Sequence, residues 1–537
     1  MKESKMTVAK LLLEQLKVWG VKRIYGVVGD AIIGLMDEIA NQSEIKFIAV
    51  KHESVAAMMA SAEAKLTGNL GVCLATMGPG LGNLLNGLGD ANLDKSSVLA
   101  ITGQAPTSKI GTDYKQYIDQ QELIKPFASY STLLAHPDAI TNQLVKAMHC
   151  SLAKGAVTHL SIPKDLFTTQ SNAQVQEKPL LVTGELSISQ KDINQVTNLM
   201  ENAKHPMILA GVGTRYAVDE VTKLAEKWGA GILVSFGAKG YFSNDHTYLV
   251  GGIGQGGNPL AKELFKKADV VLIVGSTWWP DNYVPTTAKI IQIDNTVENI
   301  GGGIPVKIGV IGDAKNIVRL LSEGLKQTQN DDWVKQCLQV KEKWNEKNDK
   351  ERATSGGPLH PARIVKAIND TVASDAIISV DTGDVTVWVN RNFKPVHQTF
   401  LFSGTWRTMG FGLPAAMAAK LVHPTKQVIA VVGDGGLEMS FADLLTAVRY
   451  EIDITVVVFN NHSLQMEKDK MVVGGYEPEG VSLTNPDFVQ IAKGCGLKGF
   501  EVKTEEELEK VIAEALTFTG PVLVSVETAP VIHPETK

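Results

Sequence analysis

Residues 428–461 read VIAVVGDGGLEMSFADLLTAVRYEIDITVVVFNN, and this stretch decides the fold of the chain. An apolar run, Val428–Val432, ends in the tetrapeptide Gly433–Gly436, and a second run, Ile454–Phe459, ends in Asn460-Asn461. Continuous apolar runs of this length are typical of parallel strands that are covered on both faces. Because the carboxyl ends of parallel strands lie at one edge of a sheet, the stretch predicts a ligand site there.

The residue types in the two clusters indicate a site for phosphate and a divalent cation. Gly433, Gly435 and Gly436 let backbone N–H groups approach phosphate oxygens closely, and Asp434 supplies a hard oxygen for the cation. Asn461 can add a side-chain carbonyl and Ser463 a main-chain one, which is the oxygen set that magnesium prefers. The alternative is an ordinary glycine turn and an ordinary asparagine turn. The spacing of 24 residues between Gly435 and Asn460, with a strand before each cluster, favours the metal site.

The same alternation of apolar strands and amphipathic helices runs along the whole chain. It predicts an α/β protein of three doubly wound domains, each built on a parallel sheet. Thr168–Glu185 is polar and without periodicity, and Lys326–His360 is charge-rich with one helical stretch near Trp333–Asn345. Cutting at these segments predicts domains at 1–180, 185–330 and 355–537. The predicted strands are Ile24–Val28, Phe47–Val50, Gly71–Ala75, Val98–Thr102, Ile208–Ala210, Val270–Val274, Ile290–Ile293, Ile377–Val380, Val428–Val432, Ile454–Phe459 and Pro521–Val526.

Composition narrows the class of protein. The 537 residues carry 52 basic and 58 acidic side chains, a net charge of −6, which argues against nucleic-acid binding. The 4 cysteines form no CxxC pair, so neither a cysteine zinc site nor a disulfide framework is expected. The thiols suit a reducing compartment, and no apolar run reaches the roughly 20 residues that span a bilayer. We therefore expect a cytoplasmic enzyme without a stable membrane anchor.

The spacing GDG…NN resembles that of thiamine-diphosphate enzymes, and a second segment strengthens the resemblance. Residues 51–57, KHESVAA, follow a predicted strand, open a helix and are similar to the family's segment with the activating glutamate. The resemblance implies that Glu53 is catalytic: its carboxyl group bonds the aminopyrimidine ring of the cofactor and promotes formation of the reactive ylid. Taken alone, a glutamate in a first helical turn is usually only a favourable dipole contact.

Further segments resemble the family along essentially the whole chain. Gly78, Pro79 and Asn83 are similar to the loop that lines the pyrimidine pocket, and Thr382-Gly383 to the loop on the diphosphate side. Met409, in TWRTMGFG, takes the place of the apolar residue that wedges the cofactor into its bent form. The resemblance also implies that Glu53 and the Asp434 cluster act on one cofactor from different subunits. A homodimer is then the minimal unit, and a homotetramer the expected assembly.

The middle domain resembles the FAD-binding domain of pyruvate oxidases and acetolactate synthases. Its glycine clusters each end a predicted strand, so that successive loops could line one crevice for a dinucleotide. The alternative is that these are structural glycines at strand turns. The expected FAD contacts are Gly211, Gly213, Ser235, Lys239, Gly251, Gly252, Gly275, Ser276, Thr277, Asp294 and Asp313.

The overall resemblance is to the pyruvate oxidase family, with thiamine diphosphate, Mg²⁺ and FAD as cofactors. It implies oxidative decarboxylation of pyruvate to acetyl phosphate, or to acetate, with O₂ or a quinone as electron acceptor. The chain stops at VIHPETK without the amphipathic extension of the membrane-activated branch, which favours O₂ and phosphate. Whether a C-terminal lid is missing stays open.

Two departures from the family bear on substrate choice. Residues 115–117 are Lys-Gln-Tyr where the family usually has Phe-Gln-Glu; the catalytic Gln116 remains, and Lys115 could face a phosphate, a substrate carboxylate or only solvent. Gln465 and Met466 replace a typical glycine and aromatic residue. Acetolactate synthase is the alternative activity, although its usual tryptophan after the Asn-Asn turn is missing. A nonoxidative decarboxylase usually has paired histidines, and no His-His occurs here.

Overall fold

A computed structural model describes residues 5–179, 188–277, 285, 287–328 and 330–534. It contains three six-stranded sheets in which every strand pair is parallel, so the predicted fold class is confirmed. The exact domain boundaries stay a prediction. Within the described residues, no helix has both the length and the hydropathy that crossing a bilayer requires.

The N-terminal sheet has the strand order β3-β2-β4-β5-β7-β6, and β1 and β8 form a separate antiparallel pair. The strands are β1 (Met6–Thr7), β2 (Arg23–Gly26), β3 (Lys46–Ala49), β4 (Gly71–Ala75), β5 (Val98–Gln104), β6 (Tyr130–Leu133), β7 (Val157–Pro163) and β8 (Gln170–Ser171). The helices are α1 (Val8–Val18), α2 (Ile33–Ala40), α3 (Glu53–Thr67), α4 (Pro79–Leu93), α5 (Gln120–Ile124) and α6 (Ile140–Lys154). All seven residues of β5 are buried, as expected for a central strand.

The central sheet has the order β11-β10-β9-β12-β13-β14. The strands are β9 (Pro206–Ala210), β10 (Gly231–Val234), β11 (Leu249–Gly252), β12 (Val270–Val274), β13 (Lys289–Asp294) and β14 (Ile308–Ile311). The helices are α7 (Gln190–Glu201), α8 (Val218–Trp228), α9 (Ala261–Lys267) and α10 (Ala314–Gly324), and α11 (Asp331–Arg352) leads to the last domain.

The C-terminal sheet has the order β16-β15-β17-β18-β20-β19. The strands are β15 (Ile377–Val380), β16 (Thr399–Leu401), β17 (Val428–Gly433), β18 (Thr455–Asn460), β19 (Lys498–Val502) and β20 (Val522–Glu527). The helices are α12 (Pro361–Thr371), α13 (Asp384–Asn392), α14 (Gly412–Val422), α15 (Asp434–Glu438), α16 (Leu444–Arg449), α17 (Gln465–Val473), α18 (Phe488–Cys495) and α19 (Glu505–Thr517).

In each sheet the chain turns back across the sheet between two adjacent parallel strands. The reversal lies between β2 and β4 in the first sheet, between β9 and β12 in the second, and between β15 and β17 in the third. Open α/β sheets bind ligands in the crevice beyond the strand ends at such a point. The predicted glycine and aspartate clusters follow the strands that flank these reversals in the central and C-terminal domains.

Several predicted elements differ in extent from those observed. The charge-rich segment 326–360 holds the 22-residue helix α11, which is longer than the predicted stretch at 333–345. The polar segment 168–185 contains the short strand β8, which pairs with β1, and residues 180–187 lie outside the described residues. Between the GDGG tetrapeptide and β18 the chain forms two short helices, α15 and α16. Both β8 and the end of α11 depend on tertiary contacts, which local periodicity does not report.

The N- and C-terminal domains meet through helices that are rich in small residues. Helix α3 packs against both α4 and α14, and many of the buried residues of α3 and α14 are alanine or methionine. A Cβ atom on Gly87 of α4 would lie 2.6 Å from the Ala57 side chain of α3, so glycine is required for this close approach. The backbones of α3 and α4 therefore lie close together where these helices cross.

Lys65, near the end of α3, ties the two domains together electrostatically. Its Nζ atom donates hydrogen bonds to Asp90 Oδ2 (2.8 Å), to Asp94 Oδ2 (2.7 Å) and to the carbonyl of Phe402 in the C-terminal domain (2.9 Å). The Asp94 carboxylate also accepts the N–H groups of Gly404 and Thr405. One lysine thus neutralises two carboxylates, of which Asp94 holds the Gly404 loop.

We expect Lys65→Met to reduce the free energy of unfolding by about 3 kcal/mol or more, because it leaves buried carboxylates without a cation. Urea unfolding followed by tryptophan fluorescence measures the change. Lys125→Met is the matched control, since Lys125 pairs with Glu122 on the surface and should change stability by less than about 0.5 kcal/mol. Equal losses in the two variants would contradict this assignment.

Candidate functional site

The carboxylate of Asp434 stands at the end of β17, where a dense set of donors fixes it. Its Oδ2 atom accepts the N–H groups of Asn461 (3.0 Å) and His462 (2.7 Å) and the Nδ2 of Asn485 (2.8 Å). Its Oδ1 atom accepts the N–H of Gly435 (2.9 Å). The structure thus brings together the two predicted clusters, and it adds Asn485, which sequence reasoning did not assign to the site.

The same region holds buried acceptor oxygens that no donor among the described residues satisfies, which fits a bound cation. Asn461 Oδ1 accepts the N–H of Ser463 at 3.1 Å. Asn485 Oδ1 and Asp384 Oδ1 are buried and have no hydrogen-bond partner among the described residues. The described residues contain no cluster of three His, Cys, Asp or Glu side chains that could hold a metal. A cation here would therefore need amide, main-chain and phosphate oxygens beside Asp434, as magnesium accepts.

Asp381, at the end of β15, fastens the neighbouring loops to this cluster. Its Oδ1 atom accepts the N–H groups of Thr382 (2.7 Å) and Gly410 (2.9 Å). A Cβ atom on Gly436 would lie 2.8 Å from Asp381 Oδ2, so the GDGG turn must be glycine to sit against this carboxylate. Burial raises the pKa of Asp381 to about 6, although the N–H donors around it act in the opposite direction.

The predicted wedge, Met409, lies beside the GDGG turn. Its Cε atom is 3.5 Å from the position that a Cβ atom on Gly435 would occupy. Gly383, predicted on the diphosphate side, precedes helix α13 with φ = 137°, a conformation that favours glycine. The segments 381–384, 407–410 and 433–436 therefore line one region, as the family resemblance implies.

Glu53 opens helix α3, as the sequence predicts, and its carboxyl group has a defined partner. The ring of His52 caps the helix by accepting the N–H of Ser54, which fixes where α3 starts. Asn83 Nδ2 donates to Glu53 Oε2 at 2.9 Å, and Glu53 is only 9% exposed. The structure thus brings together two residues that were assigned to the pyrimidine pocket.

Gly78 and Gln116 also come together. Gly78 has φ = 60°, and a Cβ atom there would stand 2.4 Å from the carbonyl oxygen of Gln116. Pro79 follows at the first position of α4. The neighbouring Lys115 is mostly exposed, with its Nζ 3.9 Å from Asp30 Oδ2, and Asp30 in turn bonds Lys164 at 2.6 Å.

The Glu53 cluster and the Asp434 cluster remain separate within one chain. In the part of the chain that the structure describes, no hydrogen bond joins them, although Lys51 N–H donates to Asp443 Oδ1 at 2.9 Å. Contact of both clusters with one cofactor depends on how copies of the chain assemble.

Two glycine loops of the central domain meet at the reversal point of its sheet. Gly211 and Gly213 follow β9, and Gly275 and Ser276 follow β12, on the two sides of the reversal point. A Cβ atom on Gly213 would lie 2.7 Å from Gly275 Cα, so these glycines are needed for the contact between the loops themselves. The described part of this domain ends here at the exposed Thr277 and resumes with the segment around β13.

The other predicted FAD contacts occupy different settings. Ser235 directly follows β10, and Gly251 and Gly252 end β11. Asp294 Oδ1 accepts from Thr296 N–H and Asn299 Nδ2, and Asp313 caps helix α10. Lys239 is turned away from the strand ends: its Nζ donates to the carbonyls of Asn390 and Phe393, both at 2.9 Å. Burial lowers the pKa of Lys239 to about 7. The flavin roles of all these residues stay predictions.

A cleft lies between the central and C-terminal domains and connects the two sets of loops. It encloses about 420 Å³, counting its open mouth. Phe236, Ile253 and Gln255 line it from the central domain, directly after β10 and β11. The C-terminal domain contributes Thr382, Gly383, Thr386, Val387, Ser403, Arg407 and Met466. The cleft therefore borders the predicted diphosphate loop on one side and the predicted flavin loops on the other.

Asp384 is a site residue to which the sequence analysis gave no role. Its Oδ2 atom accepts Trp388 Nε1 at 2.9 Å. Desolvation, together with the negative charges of Asp469 and Asp434, raises the pKa of Asp384 to about 8. Asp469 is held by Gln465 and by the N–H of His533. Its approach to Asp384 depends on contacts between distant segments.

The raised pKa gives a pH-dependent contribution of Asp384 to the stability of the metal-free protein. The folded state keeps the carboxyl group protonated, so this contribution is complete below the ordinary pKa of 3.8 and is lost as the pH rises through about 8. We expect Asp384→Asn to lose less stability than the wild type between about pH 5 and pH 9. Thermal unfolding of protein treated with a chelator measures this. Asp313→Asn, at an exposed helix cap, is the control and should follow the wild type; a wild-type profile for Asp384→Asn would contradict the assignment.

Comparison with known proteins identifies the family. Models described as the N-terminal TPP binding domain, the central domain and the C-terminal TPP binding domain of thiamine pyrophosphate enzymes match residues 6–123, 193–321 and 381–526. The chain is 36% identical to the thiamine pyrophosphate-containing protein YdaP of Bacillus subtilis (strain 168), over 97% of this chain and 91% of that one. It is 30% identical to a pyruvate oxidase of Lactiplantibacillus plantarum (98% and 89% covered) and 29% identical to an acetolactate synthase large subunit of Haemophilus influenzae (96% and 92% covered). This chain belongs to the family of thiamine-diphosphate-dependent enzymes that includes pyruvate oxidase and acetolactate synthase.

Proposed function

We propose that this chain is a flavin-dependent pyruvate oxidase. It converts pyruvate, phosphate and O₂ into acetyl phosphate, carbon dioxide and peroxide, and two electrons pass through the flavin. Thiamine diphosphate, when bound, supplies the electron sink for decarboxylation, and FAD accepts the electron pair. Transfer of the acetyl group to water, giving acetate, and transfer of the electrons to a quinone are the variants of this reaction that the experiment below separates.

The cleft between the central and C-terminal domains is the observation that carries this proposal. Phe236, Ile253 and Gln255 border it on the flavin side, and Thr382 and Gly383 on the coenzyme side. Electron transfer from the decarboxylated substrate to a flavin needs the two groups close together. A cleft shared by both sets of loops supports that arrangement.

The proposed coenzyme contacts follow from the donors and acceptors of the C-terminal domain. Asp434, Asn461 and Ser463 would hold Mg²⁺, with Asn485 fixing the orientation of the Asp434 carboxylate. The backbone at Gly433, Gly435 and Gly436 and the start of α13 would bind the diphosphate, because N–H groups at a helix start favour phosphate. Met409 would support the bent form of the coenzyme.

Glu53 would exchange a proton with the pyrimidine ring. Asn83 holds one carboxyl oxygen, Oε2, at 2.9 Å, which leaves Oε1 for the ring nitrogen. A carboxyl group that is buried and oriented in this way can hold or release a proton at a fixed atom. Gln116, beside Gly78, would line the substrate pocket.

The exposed apolar residues of the C-terminal domain support a homodimer. Met439 is 63% exposed, Phe441 36% and Leu445 42%, and they follow the Asp434 cluster in sequence. Clustered apolar side chains of this kind mark interaction surfaces. A second copy placed there would bring its own N-terminal domain toward the Asp434 cluster, as the family resemblance implies. Pairing of such dimers into a tetramer is part of the proposal.

Acetolactate synthase is the second candidate, and its support is the 29% identity to relatives of that name over 96% of the chain. In that case the bound intermediate would add to a second 2-oxo acid, and the flavin would stay oxidised.

Simultaneous assay of peroxide, acetyl phosphate and acetolactate, with and without phosphate, tests the proposal. We expect a yellow protein that pyruvate bleaches without air, and peroxide and acetyl phosphate in equal amounts in air. Acetate in place of acetyl phosphate would assign water as the acetyl acceptor. Bleaching without peroxide in air, reversed by a quinone, would assign the quinone. Formation of acetolactate while the flavin stays oxidised would establish the second candidate.

We expect Glu53→Gln to lower the rate of pyruvate decarboxylation by about 100-fold or more, because glutamine can accept the Asn83 hydrogen bond but cannot transfer the proton. Release of carbon dioxide measures the rate, and quenching of protein fluorescence measures coenzyme affinity, which should change much less. Glu122→Gln, on the surface, is the control. Normal turnover by Glu53→Gln would sink the assignment.

A further inference from the structure

Arg407 is the only charged residue among the described residues that line the cleft between the central and C-terminal domains. Its neighbours in the cleft are polar or apolar, including Thr382, Ser403 and Phe236. Arg407 is exposed, and no hydrogen bond or ion pair of its guanidinium group is seen within the described residues. An arginine that is free of protein partners and faces a cleft offers five donors to a ligand.

The backbone at Arg407 is strained. Its φ angle is 54°, in the left-handed region where side chains other than glycine are disfavoured. Strain of this kind persists where the surroundings impose it, and it concentrates at functional sites.

Contacts on both sides of Arg407 impose this conformation. Trp406 Nε1 donates to Asn86 Oδ1 at 2.9 Å, and Asn86 Nδ2 donates to Thr408 Oγ1 at 2.9 Å. Both flanking residues are thus bound to one asparagine of helix α4. In addition, Thr405 N–H donates to Asp94 and Thr408 N–H to Ser403 Oγ. The neighbours of Arg407 are thus hydrogen-bonded to the N-terminal domain, and Arg407 itself faces the cleft.

We propose that Arg407 is the anion-binding residue of this cleft and that its ligand is a small oxyanion, either the carboxylate of the 2-oxo acid or inorganic phosphate. The inference rests on the proposed function for the identity of these two anions. Guanidinium groups bind carboxylate and phosphate through paired N–H donors, which gives both affinity and orientation. Arg407 therefore selects an anionic reactant beside the diphosphate loop.

Lys115, which could also face a phosphate or a substrate carboxylate on sequence grounds, is a weaker candidate for binding this anion. It is 67% exposed, and Asp30 already lies 3.9 Å from its Nζ atom. Among the residues that the structure describes, no acidic side chain pairs with Arg407, and Arg407 lines the cleft itself.

Arg407→Gly separates ligand binding from folding, because glycine removes the guanidinium group and also relieves the strain at φ = 54°. Dissociation constants for pyruvate and for inorganic phosphate are measured by calorimetry on the cofactor-loaded protein. A Glu53→Gln background prevents turnover, so that binding is measured even if the proposed oxidase activity fails. Arg407→Lys tests the need for paired donors, and Lys115→Gln is the control.

We expect Arg407→Gly to weaken binding of one of the two anions by about tenfold or more, with a melting temperature equal to or above that of the parent. Weaker phosphate binding would show that Arg407 binds phosphate, the acyl acceptor. Weaker pyruvate binding would show that Arg407 binds the carboxylate of the substrate. The affinity of Arg407→Lys should lie between those of the parent protein and of Arg407→Gly. Lys115→Gln should leave both dissociation constants unchanged. Unchanged affinity for both anions in Arg407→Gly, or a change confined to the flavin spectrum, would overturn the proposal.

Absence of peroxide from the protein with Glu53 and Arg407 both intact, with the binding differences in the Glu53→Gln background unchanged, would instead overturn the oxidase assignment alone.

Discussion

The candidate site depends on the placement of one carboxylate, Asp434, at the end of strand β17. Four hydrogen bonds hold it, and three of their donors come from the segments that follow β18, including Asn461, His462 and Asn485. A carboxylate held by donors on this scale keeps its direction, which is what a cation site needs. The loops from β15 reach the same point through Asp381, so that the third domain presents a single polar region.

The same topology explains why function is concentrated at strand ends in this chain. In each sheet the chain reverses between two adjacent parallel strands, and the loops on either side open a crevice. In the central domain the loops approach so closely that Gly213 and Gly275 cannot carry side chains. In the C-terminal domain Gly436 meets the carboxylate of Asp381 in the same way. The cleft between these two domains therefore joins two crevices of similar origin.

The sequence predicted the fold class and the Asp434 cluster because both depend on short-range patterns. Apolar runs and glycine turns indicate parallel strands, and the GDG…NN spacing indicates which strand ends lie close together. The position of Lys239 could not be foreseen in this way, since its hydrogen bonds to Asn390 and Phe393 join residues about 150 positions apart. Asp384 and Arg407 gave no local signal either. Burial and the charge of Asp469 raise the pKa of Asp384, and contacts to α4 fix the backbone at Arg407. Neither effect has a periodicity.

The proposed function adds a requirement that one chain does not meet by itself. In the described residues Glu53 bonds Asn83, Asp434 bonds its own cluster, and no hydrogen bond links them. We propose that the N-terminal carboxylate of one subunit and the cation cluster of another act on one cofactor, with exposed residues such as Met439 at the boundary.

Co-expression of Glu53→Gln chains with Asp434→Asn chains tests this central claim most directly. If each site takes one residue from each subunit, a mixed dimer has one intact site, and the mixture should recover about a quarter of the wild-type decarboxylation rate although both parents are inactive. If Glu53 and Asp434 of the same chain serve one site, every site in the mixture carries a defect. An inactive mixture, with mixed dimers verified by differently tagged chains, would contradict the account.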